Sequence, residues 1–340
     1  MHALRISRQL LPGLTLIFAI GLAATLLSTG TGLARQGFGP LSLAILVGAL
    51  LGNLFPRLQA PGNQPGLRLA QRRFLRLGVA LSGFNLSLQQ LLQVGGSGLL
   101  ADLLMVGSTL GLGYALGTRW LGLDRETALL TSAGSAICGA AAVVATVPVL
   151  RLEEARAAEK TAVAVATVVL FGTLAMLLYP LLARWVWLDH PGFGIYVGST
   201  VHEVAQVVAI GHSLGEQVAR DGMVVKMLRV LLLIPFLLFL SALPGRQGRE
   251  AARPAITIPW FALGFIACVG LNSLALLPLA GVELLRQLAA LLLTGAMAAL
   301  GLETTWTRVR RAGPRPLLLG ALLFLHLVLV GGLINWWLMT

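Results

Sequence analysis

Charge is scarce in this chain: of 340 residues only 11% are charged, with 13 acids against 25 bases. Soluble domains carry roughly 25% charged residues, so a soluble globular fold is excluded. Cysteine is scarcer still. Cys138 and Cys268 both sit in apolar stretches, without Cys-x-x-Cys spacing or a histidine at metal-ligand distance. That excludes a disulfide framework and a zinc site. Short alternating strands are missing, which argues against a β-barrel. There is no Walker-type phosphate loop, no nucleophile with a placed base and no acid pair at a recognisable spacing, so an enzyme is not expected. Nothing calls for a cofactor or a metal.

What is present is hydrocarbon. Apolar residues make up 57% of the chain, and the mean hydropathy is +0.85. Apolar segments run over 10–28, 39–55, 74–92, 98–118, 128–150, 161–186, 193–210, 225–243, 258–277, 285–302 and 317–339. A helix needs roughly 20 residues to cross the hydrocarbon core. The expectation is an all-α polytopic membrane protein with about 11 transmembrane or re-entrant helical segments. Connections are short, so 1–340 reads as one transmembrane domain. Within it, 10–28 is an extra N-terminal helix, 39–150 a first repeat-like half and 161–339 a second. The polar stretch 56–73, with Pro56, Pro61 and Pro65, reads as an ordinary loop.

The net charge of +12 does not form a stripe for nucleic acid. It collects in connections, at Arg5 and Arg8, at Arg57, Arg68, Arg72, Arg73 and Arg76, at Arg246, Arg249 and Arg253, and at Arg308, Arg310, Arg311 and Arg315. Basic loops stay in the cytoplasm, which puts the N-terminus inside and the C-terminus outside. The connection 151–160, with three bases and three acids, leaves two layouts open. Either there are eleven full spans, or 128–150 and 193–210 are re-entrant from opposite sides. Trp185, Trp187, Trp336 and Trp337 read as interface anchors.

Two internal correspondences point to an inverted repeat with discontinuous helices. Pro40 and Asn53 match Pro259 and Asn272 at an offset of 219, and Gly83 and Gly95 match Gly301 and Gly313 at 218. Separately, Gly134-Ser135-Ala136-Ile137 matches Gly198-Ser199-Thr200-Val201 at an offset of 64. Small residues around Ser135, Cys138 and Gly139 allow a helix to unwind and free its amides for an anion. They serve equally for tight helix packing. His202, Glu203 and Gln206 share one side of an otherwise apolar segment, and buried ionisable groups in a bilayer are expensive unless they work. Glu203 is the expected protonatable group. Lys226 and Arg229, three apart, either supply positive potential to that site or snorkel to the interface. Asp102 reads as interfacial, with ion coupling as the alternative, and Glu303 with Thr304 as a wet helix end. Asn53 and Asn272 either join helices or line a cavity. Pro235 should kink its helix.

The runs Gly134-Ser135-Ala136-Ile137-Cys138-Gly139, Val201-His202-Glu203-Val204-Ala205-Gln206-Val207, Lys226-Met227-Leu228-Arg229, Pro259-Trp260-Phe261-Ala262-Leu263-Gly264-Phe265, Asn272-Ser273-Leu274 and Ala296-Met297-Ala298-Ala299-Leu300-Gly301-Leu302 together resemble the YeiH-like family of bacterial inner-membrane proteins. That family is commonly labelled as sulfate exporters. It is similar to the group of bile-acid/sodium symporters and cation–proton antiporters, which pair a panel with a core of discontinuous crossing helices. The resemblance implies an inverted-repeat secondary transporter in the inner membrane. The expected function is movement of a small, anionic solute against a proton or sodium gradient, with a channel as the alternative and an intramembrane enzyme or structural protein further off. Expected partners are a small solute or ion and the membrane lipids. A homodimer is one open alternative for the assembly.

Overall fold

The computed structural model describes residues 2–31, 39–150, 152–183, 192–242 and 260–339. Sixteen α-helices account for nearly all of them, and no strand occurs among the described residues. Six runs are long and apolar enough to cross a membrane, namely Gln9–Gly30, Leu91–Trp120, Glu159–Leu182, Glu216–Ala242, Leu279–Glu303 and Pro314–Leu338. Shorter apolar helices fill out the rest. The chain is thus an all-α polytopic membrane protein, whose exposed leucines and phenylalanines face lipid. Trp185, Trp187, Pro259, Arg246, Arg249 and Arg253 lie outside the described residues, while Trp336 and Trp337 are exposed near the end of the last helix.

The helices form two groups. A panel contains α1 (His2–Gly30), α2 (Pro40–Leu54), α3 (Gln64–Leu69), α4 (Leu75–Leu81), α13 (Trp260–Ser273) and α14 (Leu279–Glu303), packed mainly on one another. A core contains α5 (Leu88–Ala115), α6 (Arg125–Ala136), α7 (Ala140–Leu150), α8 (Glu154–Leu182), α9 (Phe193–Thr200), α10 (Val204–Leu214), α11 (Glu216–Leu231) and α16 (Pro314–Met339). The groups meet along a thin seam, where α10 reaches α2 and α4, and α13 touches α5 and α11. The break at Leu232, ahead of α12 (Leu233–Ala242), fits the missing amide of Pro235, which leaves the Leu231 carbonyl without its helical donor.

Two sequence expectations are corrected here. The stretch 56–73 is not an ordinary loop. A short 3₁₀ turn over Pro56–Gln59 leads to a helical run that begins at Gln64, with Pro65 in its first turn, and continues to Leu81. Arginines are good helix formers, and this run has water at one end for Arg68, Arg72 and Arg73. Second, segments 74–92 and 98–118 are re-divided. The helical break falls at Leu86–Ser87, where the Leu88 amide donates to Ser273 Oγ at 2.7 Å, and α5 starts ten residues earlier than its apolar run.

Packing resolves the two layouts left open by charge. Along α9, Gly194 meets Val218 and Asp221, and Gly198 meets Gly222 and Val225; along α10, Val207 meets Gly222 and Gly211 meets Ala219. The two helices therefore run past the same stretch of α11 in opposite directions, and α9–α10 is a re-entrant hairpin. The pair α6–α7 behaves alike against α8. Asp124 and Glu126 bind Lys160, Gly134 lies between Val168 and Val143, and Leu130 shares a cluster with Val143 and Ala164. The hairpins enter from opposite ends of α8, so 152–153 lies on the same side as 121–124. With the α3–α4 run, α2 and α13 counted as crossings, the described basic connections, at Arg57 and at Arg310 and Arg311, fall on the side of the N-terminus. The positive-inside rule makes that side the cytoplasm.

The panel also shows the repeat. Asn53 Nδ2 donates to Thr304 O at 3.0 Å, and Asn272 Nδ2 donates to Leu86 O at 2.9 Å. Donors 219 apart thus bind acceptors 218 apart. Gly83 abuts the Phe265 carbonyl and Gly301 the Ile45 carbonyl in the same swapped sense. Both asparagines are structural joints away from the hairpin tips, which corrects their expected place among binding residues.

At the α2–α14 crossing, a Cβ on Gly301 would lie 2.2 Å from the Ile45 carbonyl oxygen, whereas one on Gly111 would meet nothing within 4 Å. G301V should cost about 1–3 kcal/mol or more and lower the melting temperature in detergent, while G111A should leave it unchanged or raise it. At the cytoplasmic end, Lys160 Nζ lies 2.5 Å from Asp124 Oδ1, and the Thr127 amide and hydroxyl also donate to Asp124. Burial works against the ionised Asp124 carboxyl, but Lys160 and Thr127 outweigh it and hold it below the usual carboxylate range. The stabilisation is therefore complete above the unfolded value of about 4 and declines as pH falls below it. D124N should flatten that acid-side slope in melting temperature against pH.

Candidate functional site

The candidate site is built from two helix breaks. Helix α6 stops at Ala136 and α7 starts at Ala140; α9 stops at Thr200 and α10 starts at Val204. The breaks are 64 residues apart, as the sequence correspondence predicts. In the first, Gly139 adopts φ +72°, and a Cβ there would lie 2.4 Å from Glu203 Cγ. Glycine is needed twice over, for the left-handed backbone and for the approach of the second tip. The second break uses extended backbone at Val201 and Glu203 instead. It follows Ser199-Thr200-Val201, a run of poor helix formers.

Broken helices leave bare carbonyls at one end and bare amides at the other. Here the carbonyl ends are met by cations. Lys226 Nζ donates to Ile137 O at 2.9 Å and to Val201 O at 2.6 Å. Arg229 donates through Nε to Ala136 O at 2.6 Å, through Nη2 to Ser135 O at 3.1 Å and through Nη1 to Ser199 O. Both side chains have 0% exposure, so snorkelling is ruled out in this arrangement. Lys226 lies ten residues into α11, about 15 Å along its axis, or half the hydrocarbon thickness. The amide ends are met by an anion. Ala140 N donates to Glu203 Oε1 at 3.4 Å, and Gln206 Oε1 accepts from the Glu203 amide at 3.0 Å. Each dipole end faces the charge that stabilises it.

Ser135, Cys138, Gly139, His202, Glu203, Gln206, Lys226 and Arg229 therefore converge at one place, all buried. Ser135 Oγ, both His202 ring nitrogens and Gln206 Nε2 have no hydrogen-bond partner among the described residues. The His202 ring lies 6.4 Å from Phe324 of α16. A second layer steadies the α9 end. Tyr179 OH donates to Thr200 Oγ1 at 2.8 Å and stacks on Tyr196 at 5.0 Å, and Asn335 Nδ2 donates to Ser199 Oγ at 3.1 Å.

Asp102 is the residue whose place the sequence reading misjudged. It is fully buried in the middle of α5, not interfacial, because the helix begins at Leu88. Tyr179 and Asn335 carried no signal, being single polar residues in apolar helices.

No solved structure matches this chain. Residues 12–320 match the family described as "Conserved hypothetical protein 698". A UPF0324 membrane protein of Pseudomonas aeruginosa is 48% identical over 339 residues, covering 96% of this chain and 94% of its own. The UPF0324 inner membrane protein YeiH of Salmonella typhimurium is 46% identical over 337 residues, covering 94% of this chain and 93% of its own. Its Escherichia coli counterpart is 45% identical over 334 residues, covering 94% of each chain. A match of this length, in a multi-pass helical protein, means that the chain belongs to the YeiH-like family of bacterial inner-membrane proteins.

Proposed function

We propose that this protein is a secondary active transporter of a small anionic solute, coupled to a proton or sodium gradient across the inner membrane. The observation that carries the reading is the meeting of two re-entrant hairpins at mid-membrane around buried Lys226 and Arg229. Such breaks cost backbone hydrogen bonds in a medium without water, and transporters use them to expose dipoles and polar groups to a solute. Ser135, Cys138 and Gly139 form one side of the site and His202, Glu203 and Gln206 the other, with Lys226 and Arg229 supplying positive potential. Oxyanions such as sulfate are the first class to test, following the label attached to the family resembled. The thin seam between core and panel supports a mechanism in which the core shifts against the panel to open each side in turn.

The test is a thermal-shift screen of purified protein against sulfate, phosphate, chloride and sodium, followed by flux in proteoliposomes. One anion should raise the melting temperature, and its flux should follow an imposed proton or sodium gradient. Equal flux with and without gradients would identify a channel, and no anion effect in either assay would remove the reading. K226M should abolish anion stabilisation. It should also lower stability by about 1–3 kcal/mol for each of the carbonyls of Ile137 and Val201 left bare, read as a lower melting temperature.

A further inference from the structure

The four charged groups at the centre are not equally placed. Lys226 and Arg229 are engaged by carbonyls, and Glu203 receives an amide from Ala140. Asp102 has 0% exposure, and neither of its oxygens has a hydrogen-bond partner among the described residues. Its position on α5 is bracketed by contacts. Gly98, one turn before, packs on Val225 of α11, and Met105, one turn after, faces Gly331 of α16, as does Thr200 at the end of α9. Helix α5 packs along α11, the helix that carries Lys226 and Arg229, and against α9.

Other ionisable groups on the helices around α5 are differently employed. Tyr196 of α9 donates to Val328 O, His326 of α16 pairs with Ser108, Cys268 of α13 is half-buried, and Arg125 and Glu126 of α6 sit at the cytoplasmic end. Tyr179 donates to Thr200 Oγ1, Cys138 lies in the first break and His202 in the second, and Asp221 is five residues outward from Lys226 on α11.

With both carboxylates ionised, the two acids and two bases cancel, and an added anion would leave a net negative charge in a dry site. With Asp102 protonated, the group carries one net positive charge and an anion restores neutrality. Of the two acids, only Asp102 lacks a hydrogen bond that favours its ionised form. We propose that Asp102 is the coupling residue, and that one proton on its carboxyl and one negative charge of the solute bind to the centre together. The proton comes from water on the open side and returns to water when the solute leaves. The inference rests on the transport reading above, and moves the coupling role from Glu203 to Asp102.

The test is infrared titration of the full-length protein in lipid, following the carbonyl stretch of protonated carboxyl groups in gluconate, chloride, sulfate and phosphate. One protonated-carboxyl band should disappear in D102N and persist in E203Q. Where D102N fails to fold, wild-type protein carrying 13C-labelled aspartate should show the same band displaced. Its titration midpoint should rise in at least one of the three anions over gluconate, by about one pH unit per tenfold anion above the dissociation constant. A band that survives D102N and ignores the label, or a midpoint identical in all four salts, would overturn the proposal. A midpoint that moves without gradient-driven flux would remove the transport reading alone. Gradient-driven flux with a fixed midpoint would remove the coupling role of Asp102 alone.

Discussion

The arrangement depends on Lys226 and Arg229 holding the carbonyl ends of two broken helices. Without them, the carbonyls of Ser135, Ala136, Ile137, Ser199 and Val201 would have to find donors where the bilayer offers none. One helix, α11, thereby ties both hairpins together and fixes the distance between their tips. Asp102 and Glu203 complete the balance, since two cations at that depth could not stand alone. The electrostatic centre and the mechanical joint are the same set of atoms.

Around this joint the protein divides into a group of helices that carries the site and a group that flanks it. The panel is sewn by the paired asparagine bonds and by glycine crossings at which backbones touch. The core is sewn by charge and by the Tyr179–Thr200 and Asn335–Ser199 bonds. Each is tight within itself, and the seam between them is narrow. That difference suits relative movement, because sliding two apolar faces breaks few hydrogen bonds, while opening the tips would break many.

Much of the architecture is legible in the sequence because hydrocarbon imposes so strict a grammar. Helix type, approximate segments and both breaks follow from apolar runs and from Gly134–Ala145 set against Gly198–Ala209. The reach of α5 and the helix over 64–81 do not, since hydropathy marks the lipid-facing part of a helix rather than its hydrogen-bonded length. That is why Asp102 looks peripheral in a list of residues and central in space. Asn53 and Asn272 fail in the other direction. Their repeat relation is plain in the sequence, but whether a polar side chain meets a carbonyl of the other half or a solute depends on contacts more than 180 residues away.

The swapped asparagine bonds carry an evolutionary consequence. Asn53 of the first unit closes on the end of α14, and Asn272 of the second closes on the end of the α4 run, so neither unit satisfies its own partner. An ancestor with a single copy of the unit could have made these bonds only by pairing two chains inserted in opposite directions. Held in one chain, the two units need not be identical, and neither need the two faces that the protein turns to the inside and the outside of the cell.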